Sequence, residues 1–124
     1  MPFVTISELP RLELFPLATS GIVQGENIML SFLDLAPGCE IPEHSHPHEQ
    51  AGLVLEGEFR FCIGDEERMC AAGDAFVIPP NVVHSGRVDG DQAVKLLDIF
   101  SPPREDYAEK YNRYTSTSED SQWK

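Results

Sequence analysis

His44-Ser45-His46-Pro47-His48-Glu49-Gln50 places three histidines and a glutamine inside seven residues. The chain has 124 residues and four histidines in all, and the fourth, His84, lies well downstream. Neutral imidazole is the commonest metal ligand that proteins use. Concentrating a scarce imidazole donor in one short stretch therefore points to a metal site. Residues two apart in an extended chain share a face, so His44 and His46 are predicted to point the same way. Gln50 follows after a bend at Pro47. The remaining chain must then bring His84 to this stretch and build a pocket around it.

The flanking sequence reads as short strands. Upstream, residues 27–35 form a nearly continuous apolar run, predicted as a strand with both faces largely buried, and Pro37-Gly38 turns the chain. Residues 40–46 are predicted as the strand that carries the first two histidines. Downstream, residues 50–56 form a strand, Glu56-Gly57-Glu58 a tight turn, and Phe59 to Ile63 a strand of period two. Gly64-Asp65-Glu66-Glu67 is a hairpin tip, with Arg68 to Cys70 returning. Ala75 to Ile78 is a short strand stopped by Pro79-Pro80-Asn81. His84 follows, and Ala93 to Phe100 is the last apolar strand. Residues 1–20 carry Pro2, Pro10 and Pro16, which suits an arm or edge strand, because proline cannot donate to a ladder. Such an arm can pack on a partner subunit. About eight to ten short strands with frequent turn signals predict an all-β sandwich or barrel. Residues 103–114 open with proline and acidic residues, which favours a short helix. By composition, residues 115–124 read as disordered.

Composition narrows the classes. The length predicts one domain over residues 1–124. The formal charge of −12 argues against nucleic acid and against anionic membrane surfaces. No apolar run of about 18 residues is present, so no transmembrane helix is expected. Met1 to Thr5 lacks the basic start of a signal peptide. Cys39, Cys62 and Cys70 show no CxxC spacing and read as reduced cysteines of a cytoplasmic protein. Cys39 is read as a small core residue rather than a ligand.

Imidazole nitrogens and an amide oxygen suit a borderline divalent ion, Ni, Zn, Fe or Mn. His44, His46, Gln50 and His84 give four ligands at most. An octahedral ion would keep open positions for water or substrate, which favours catalysis over a closed structural site. At these residues the chain resembles the cupin superfamily. Gly38, His44, His46, Gln50 and Gly57 fall at the spacing of its first motif, G-x5-H-x-H-x(3,4)-E-x6-G. Gly73, Pro79, Asn81 and His84 fall at that of its second, G-x5-P-x-G-x2-H-x3-N. The resemblance implies a double-stranded β-helix, or jelly-roll barrel, over residues 25–104. The first 20 residues would then be an arm or edge strand, and residues 105–124 a short helical or irregular tail. It also implies a metal in the barrel and a habit of forming homodimers. Three positions depart from the motifs: Gln50 stands for a glutamate, Asn81 for a glycine and Val88 for an asparagine. Four neutral ligands leave the site near +2, a stronger Lewis acid with more attraction for an anionic substrate. His48 lies outside the motif and is read as a rim group or a support for a ligand.

The last strand supplies the other candidates. Alternation puts Asp98 and Phe100 on one face and Leu97 and Ile99 on the other. A carboxylate on an inward face is costly unless paired or functional. Asp98 is therefore a candidate acid/base, Phe100 a stacking wall, and Arg104 a bidentate clamp for a substrate carboxylate. An Asp98–Arg104 salt bridge is the structural alternative. The tail Asp98 to Asp106, together with the opening stretch, resembles the KdgF-type cupins of pectin and alginate degradation. That resemblance implies metal ligands at His44, His46, Gln50 and His84, substrate-handling residues at Asp98, Phe100 and Arg104, and ring-opening of 4,5-unsaturated uronates. An iron-dependent dioxygenase-type cupin and a non-catalytic small-molecule-binding cupin are the other readings.

Overall fold

The computed structural model describes residues 2–115. Its ten strands are β1 (Leu12–Phe15), β2 (Ala18–Gln24), β3 (Met29–Leu35), β4 (Glu40–His44), β5 (Glu49–Glu56), β6 (Glu58–Ile63), β7 (Glu66–Ala71), β8 (Ala75–Ile78), β9 (His84–Arg87) and β10 (Val94–Ser101). A helix, α1 (Glu105–Thr115), follows, and a single 3-10 turn (Ile6–Glu8) precedes β1. The strands form a six-stranded antiparallel sheet in the order β1-β2-β3-β10-β5-β8 and a four-stranded one in the order β4-β9-β6-β7. The all-β jelly-roll expectation holds, and the C-terminal stretch to Thr115 is helical. Residues 116–124, read as disordered from composition, lie outside the described residues.

Alternation in the sequence becomes burial in the sheet. Along β10, Val94, Leu96, Asp98 and Phe100 are buried, while Lys95 and Ser101 face out. Their partners on β3, Leu35, Leu33, Ser31 and Met29, are buried too. The main core lies between the sheets, where Leu33, Val54 and Leu96 of one meet Phe59, Phe61 and Cys70 of the other. Cys39 and Val88 belong to this core, joined by the Val88 N–H donating to the Cys39 carbonyl at 2.9 Å. A second cluster closes one end: Tyr107 and Tyr111, one helical turn apart on α1, pack on Leu12, Ile22, Met29 and Phe100. Glu105 and Asp106 in the first turn of α1 complement the helix dipole. Among the described residues no helix is long and apolar enough to cross a membrane.

Three local expectations need adjusting. The first 20 residues supply an edge strand, β1, but Ala18–Gln24 continues inward and pairs along its length with β3. Residues 27–35 alternate rather than bury both faces, with Leu30 and Phe32 only half-buried. The strand predicted over residues 40–46 stops at His44. Beyond it the His46 carbonyl accepts from the Asn81 N–H at 2.8 Å, a loop contact between the two histidine-bearing segments. Asn81 sits at φ 66°, a conformation asparagine tolerates better than most residues.

Gly86 in β9 is required by close approach. A Cβ there would lie 2.1 Å from Phe59 Cζ, and Phe59 is fully buried. Gly86→Ala is expected to cost about 2–3 kcal/mol through overpacking, read as a lowered denaturant midpoint with an unchanged slope.

Candidate metal centre and its pocket

The ladder brings the separated histidines together. His44 ends β4 and His84 begins β9, and the two are direct cross-strand partners, with ring centroids 4.2 Å apart. His46, from the loop after β4, brings its ring within 5.0 Å of that of His84. One nitrogen from each of the three lies within 4.8 Å of the others.

Backbone carbonyls fix the tautomers. The Nδ1–H of His44 donates to the Pro42 carbonyl at 2.8 Å, that of His46 to the His48 carbonyl at 3.0 Å, and that of His84 to the Val82 carbonyl at 2.9 Å. With the proton on Nδ1, each Nε2 carries a lone pair. Burial first, then the charges of His44, His46 and Arg104, push the His84 pKa down to about 4. Burial, then Arg104, lowers His46 as well. His46 and His84 are therefore neutral near pH 7, the form that binds metal.

The unmet atoms test whether a cation suits the site. His84 Nε2 is buried without a hydrogen-bond partner. His46 Nε2 faces Gln50 Oε1 at 3.0 Å. With His46 in this tautomer, both atoms are acceptors. Two lone pairs confronting each other, beside a third with no partner, are what a bound cation would satisfy. The donor set of three imidazoles and one amide oxygen fits a divalent transition ion.

Each remaining candidate has a definite place. Gln50, on β5, is opposite Phe100 of β10, and both side chains are buried. The Phe100 ring packs edge-on against His46 at 5.7 Å between centroids. Asp98 lines the same pocket as His44, Gln50 and His84. It is 7% exposed, and its Oδ1 has no partner. Burial raises its pKa from 3.8 to about 7, against the opposing influence of the Gln50 side chain and the Arg104 charge. Gly52, its cross-strand partner, makes the room: a Cβ there would lie 2.7 Å from Asp98 Oδ1.

Arg104 also lines the pocket, but its salt bridge is to Asp106, at 2.8 Å, and none joins it to Asp98 among the described residues. The guanidinium lies 3.8 Å above the Tyr107 ring and 5.2 Å from that of Phe100. Asp106 takes the edge carrying Nε and Nη2, so a carboxylate can use only the remaining end of the fork. His48 is buried but is not one of the three convergent histidines.

Sequence reasoning missed the aromatic wall. Phe15, Phe59, Phe61, Phe76 and Tyr107 also line the pocket. Period two along residues 59–63 put Phe59 and Phe61 on one face. Which face looked inward was not legible without the second sheet. The pocket leaves about 30 Å³ of free space, roughly one water's share of liquid. A larger hollow of about 240 Å³ on the four-stranded sheet contains Glu40, Glu43, Arg60, Glu67 and Arg87 but none of the histidines.

Comparison with known proteins agrees with this architecture. H2HPP isomerase of Bacillus subtilis is 38% identical over 79 residues, which is 62% of this chain but 33% of that protein's length. The pectin degradation protein KdgF of Dickeya dadantii is 32% identical over 87 residues, 69% of this chain and 78% of the relative. The solved structure of KdgF from Halomonas sp. superposes with a TM-score of 0.77 at 28% identity, covering 85% of this chain and 98% of that one. The cupin domain family matches residues 31–100. That span runs from Ser31 of β3 to Phe100 of β10 and holds all three convergent histidines, so the chain belongs to the cupin domain family.

Proposed function

We propose that this cupin is a metal-dependent enzyme acting on a small anionic sugar or keto acid, and that its reaction is the ketonisation and ring-opening of 4,5-unsaturated uronates. The observation that carries the reading is the buried, half-unpaired Asp98 carboxyl in one pocket with His44, Gln50 and His84. Similarity to two proteins named KdgF supports the substrate class. The relative named as an isomerase supports proton-transfer chemistry without an oxidant.

The work of the residues follows from their positions. His44, His46, His84 and Gln50 would hold a divalent ion, and such an ion supplies Lewis acidity to a substrate oxygen. Asp98 keeps a transferable proton near neutral pH, because burial penalises its anion. It can deliver that proton to the enol carbon and take one back from the enol hydroxyl as that oxygen becomes the ketone, so the carboxyl ends as it began. Arg104 offers the free end of its guanidinium to the uronate carboxylate. Phe100 and Tyr107, on which the guanidinium rests, restrict how the sugar ring can lie.

Purified protein mixed with unsaturated uronate monomer is expected to accelerate loss of the enol absorbance over the spontaneous rate. A chelator should abolish the acceleration, and a divalent transition metal should restore it. If no metal restores any acceleration, the uronate assignment falls.

A further inference from the structure

His48 is the histidine of the opening stretch that the site does not use. It is 5% exposed, and its ring centroid is 5.3 Å from that of His46. Two links leave it in opposite directions. Its backbone carbonyl accepts the Nδ1–H of His46 at 3.0 Å, which sets the tautomer and tilt of that ring. Its side-chain Nε2–H donates to the Glu105 carboxylate, at 3.2 and 3.3 Å from the two oxygens. Glu105 is the first residue of α1 and directly follows Arg104. Two residues further on, Tyr107 lies under the guanidinium at 3.8 Å.

One residue thus joins the loop that carries His46 to the helix start that carries Arg104. The arrangement has a cost, because His48 Nδ1 is buried without a partner. An apolar ring would fill the same volume without that loss, so packing alone does not explain a histidine here. The Glu105 side chain is mostly exposed, and its own backbone N–H, then His48, hold its carboxyl below the usual range.

We propose that His48 is a positioning residue, a strut that sets the span between the histidine site and Arg104 and so selects anionic substrates by the distance from their carboxylate to the oxygen that the histidine site would take. The selection step rests on the function proposed above. The strut itself rests on the contacts of His48 alone.

The test uses the metal-loaded protein with His48→Phe, Glu105→Ala, the double variant and the conservative His48→Gln. The probes are Zn²⁺ or Ni²⁺ alone, and galacturonate, a uronate with no enol to react. His48→Phe and Glu105→Ala are each expected to weaken galacturonate binding and raise KM about tenfold, with a smaller change in kcat, because a misplaced clamp loses orientation rather than chemistry. The double variant should be no worse than either single one, as for two residues acting through one contact. His48→Gln, which keeps an N–H donor, should recover most of the affinity. Metal affinity should move by less than about threefold, well short of the roughly 10–100-fold expected on losing a ligand's support. Unchanged galacturonate binding in His48→Phe overturns the strut, and so does a tenfold or greater loss of metal affinity. If the wild-type protein neither binds galacturonate nor turns over the unsaturated sugar, the proposed function fails. Backbone amide exchange over residues 105–111 then decides the strut. Exchange about tenfold faster in both single variants supports it, as for a loosened local segment, and unchanged exchange overturns it.

Discussion

His84→Ala is expected to remove metal binding at stoichiometric concentration and to lower turnover on the order of a thousandfold. A Lewis acid at a developing oxyanion contributes several kcal/mol, and about 4 kcal/mol corresponds to that factor. Metal content by element analysis and turnover of the unsaturated uronate are the two measurements. A third separates a ligand from a core histidine. His84 Nε2 is buried and unpaired, so alanine removes an unmet polar atom as well as packing atoms. The metal-free variant should therefore unfold within about 2 kcal/mol of the metal-free wild type. A variant that still binds one equivalent of metal with unchanged affinity would remove His84 from the ligand set.

Asp98→Asn is expected to slow the reaction by about 10²–10⁴ through loss of the proton donor, with metal binding retained. The same change should stabilise the metal-free protein, in a way that depends on pH. The Asp98 carboxyl has an ordinary value of 3.8 and is raised to about 7 in the fold. Below the ordinary value it is neutral in both states and costs nothing. As pH rises towards 7 the unfolded chain ionises while the native state keeps its proton, so the wild type loses stability across that window. Asparagine does not titrate, so the advantage of the variant should grow from near zero at pH 4 to at most about 4 kcal/mol above pH 7. His84 contributes with the opposite sign. Its folded pKa is depressed to about 4, so its share of stability is lost as pH falls from its ordinary value of 6.5. The metal-free wild type should thus show a shallow pH profile, and Asp98→Asn a profile that rises with pH. A variant whose stability tracks the wild type at every pH would mean that Asp98 is not held protonated by burial.

The gain in stability and the loss of rate share one cause. Burial keeps the Asp98 carboxyl protonated at a cost in stability, and the proposed reaction uses that proton. Gly52 belongs to the same economy, since it leaves a gap in β5 that the carboxyl and the Phe76 ring fill.

Much of this was present in the order of residues. His44 and His46 at spacing two, Gln50 after a bend and His84 after a proline turn named the four candidate ligands. Those spacings are read along one strand or one loop, where local geometry is nearly fixed. Alternation from Val94 to Phe100 likewise put Asp98 and Phe100 on one face before any partner strand was known. The glycine and proline punctuation also located most of the strands that the structure contains.

What the sequence left open depends on contacts between segments far apart in the chain. The salt bridge of Arg104 went to Asp106, two residues away, rather than to Asp98, because α1 starts at once and turns the guanidinium onto Tyr107. The aromatic wall required knowing which face of β6 meets the other sheet. His48 reads in sequence as a rim group or a support for a ligand, and only the docking of α1 gave it Glu105. The sequence by itself determined the β architecture and the identity of the ligand candidates, since period two and motif spacing act over a few residues. The tertiary structure decided the tautomers, the raised pKa of the Asp98 carboxyl and the link from the histidine loop to Arg104. Those follow from burial and from hydrogen bonds that form only when the sheets and the helix have packed.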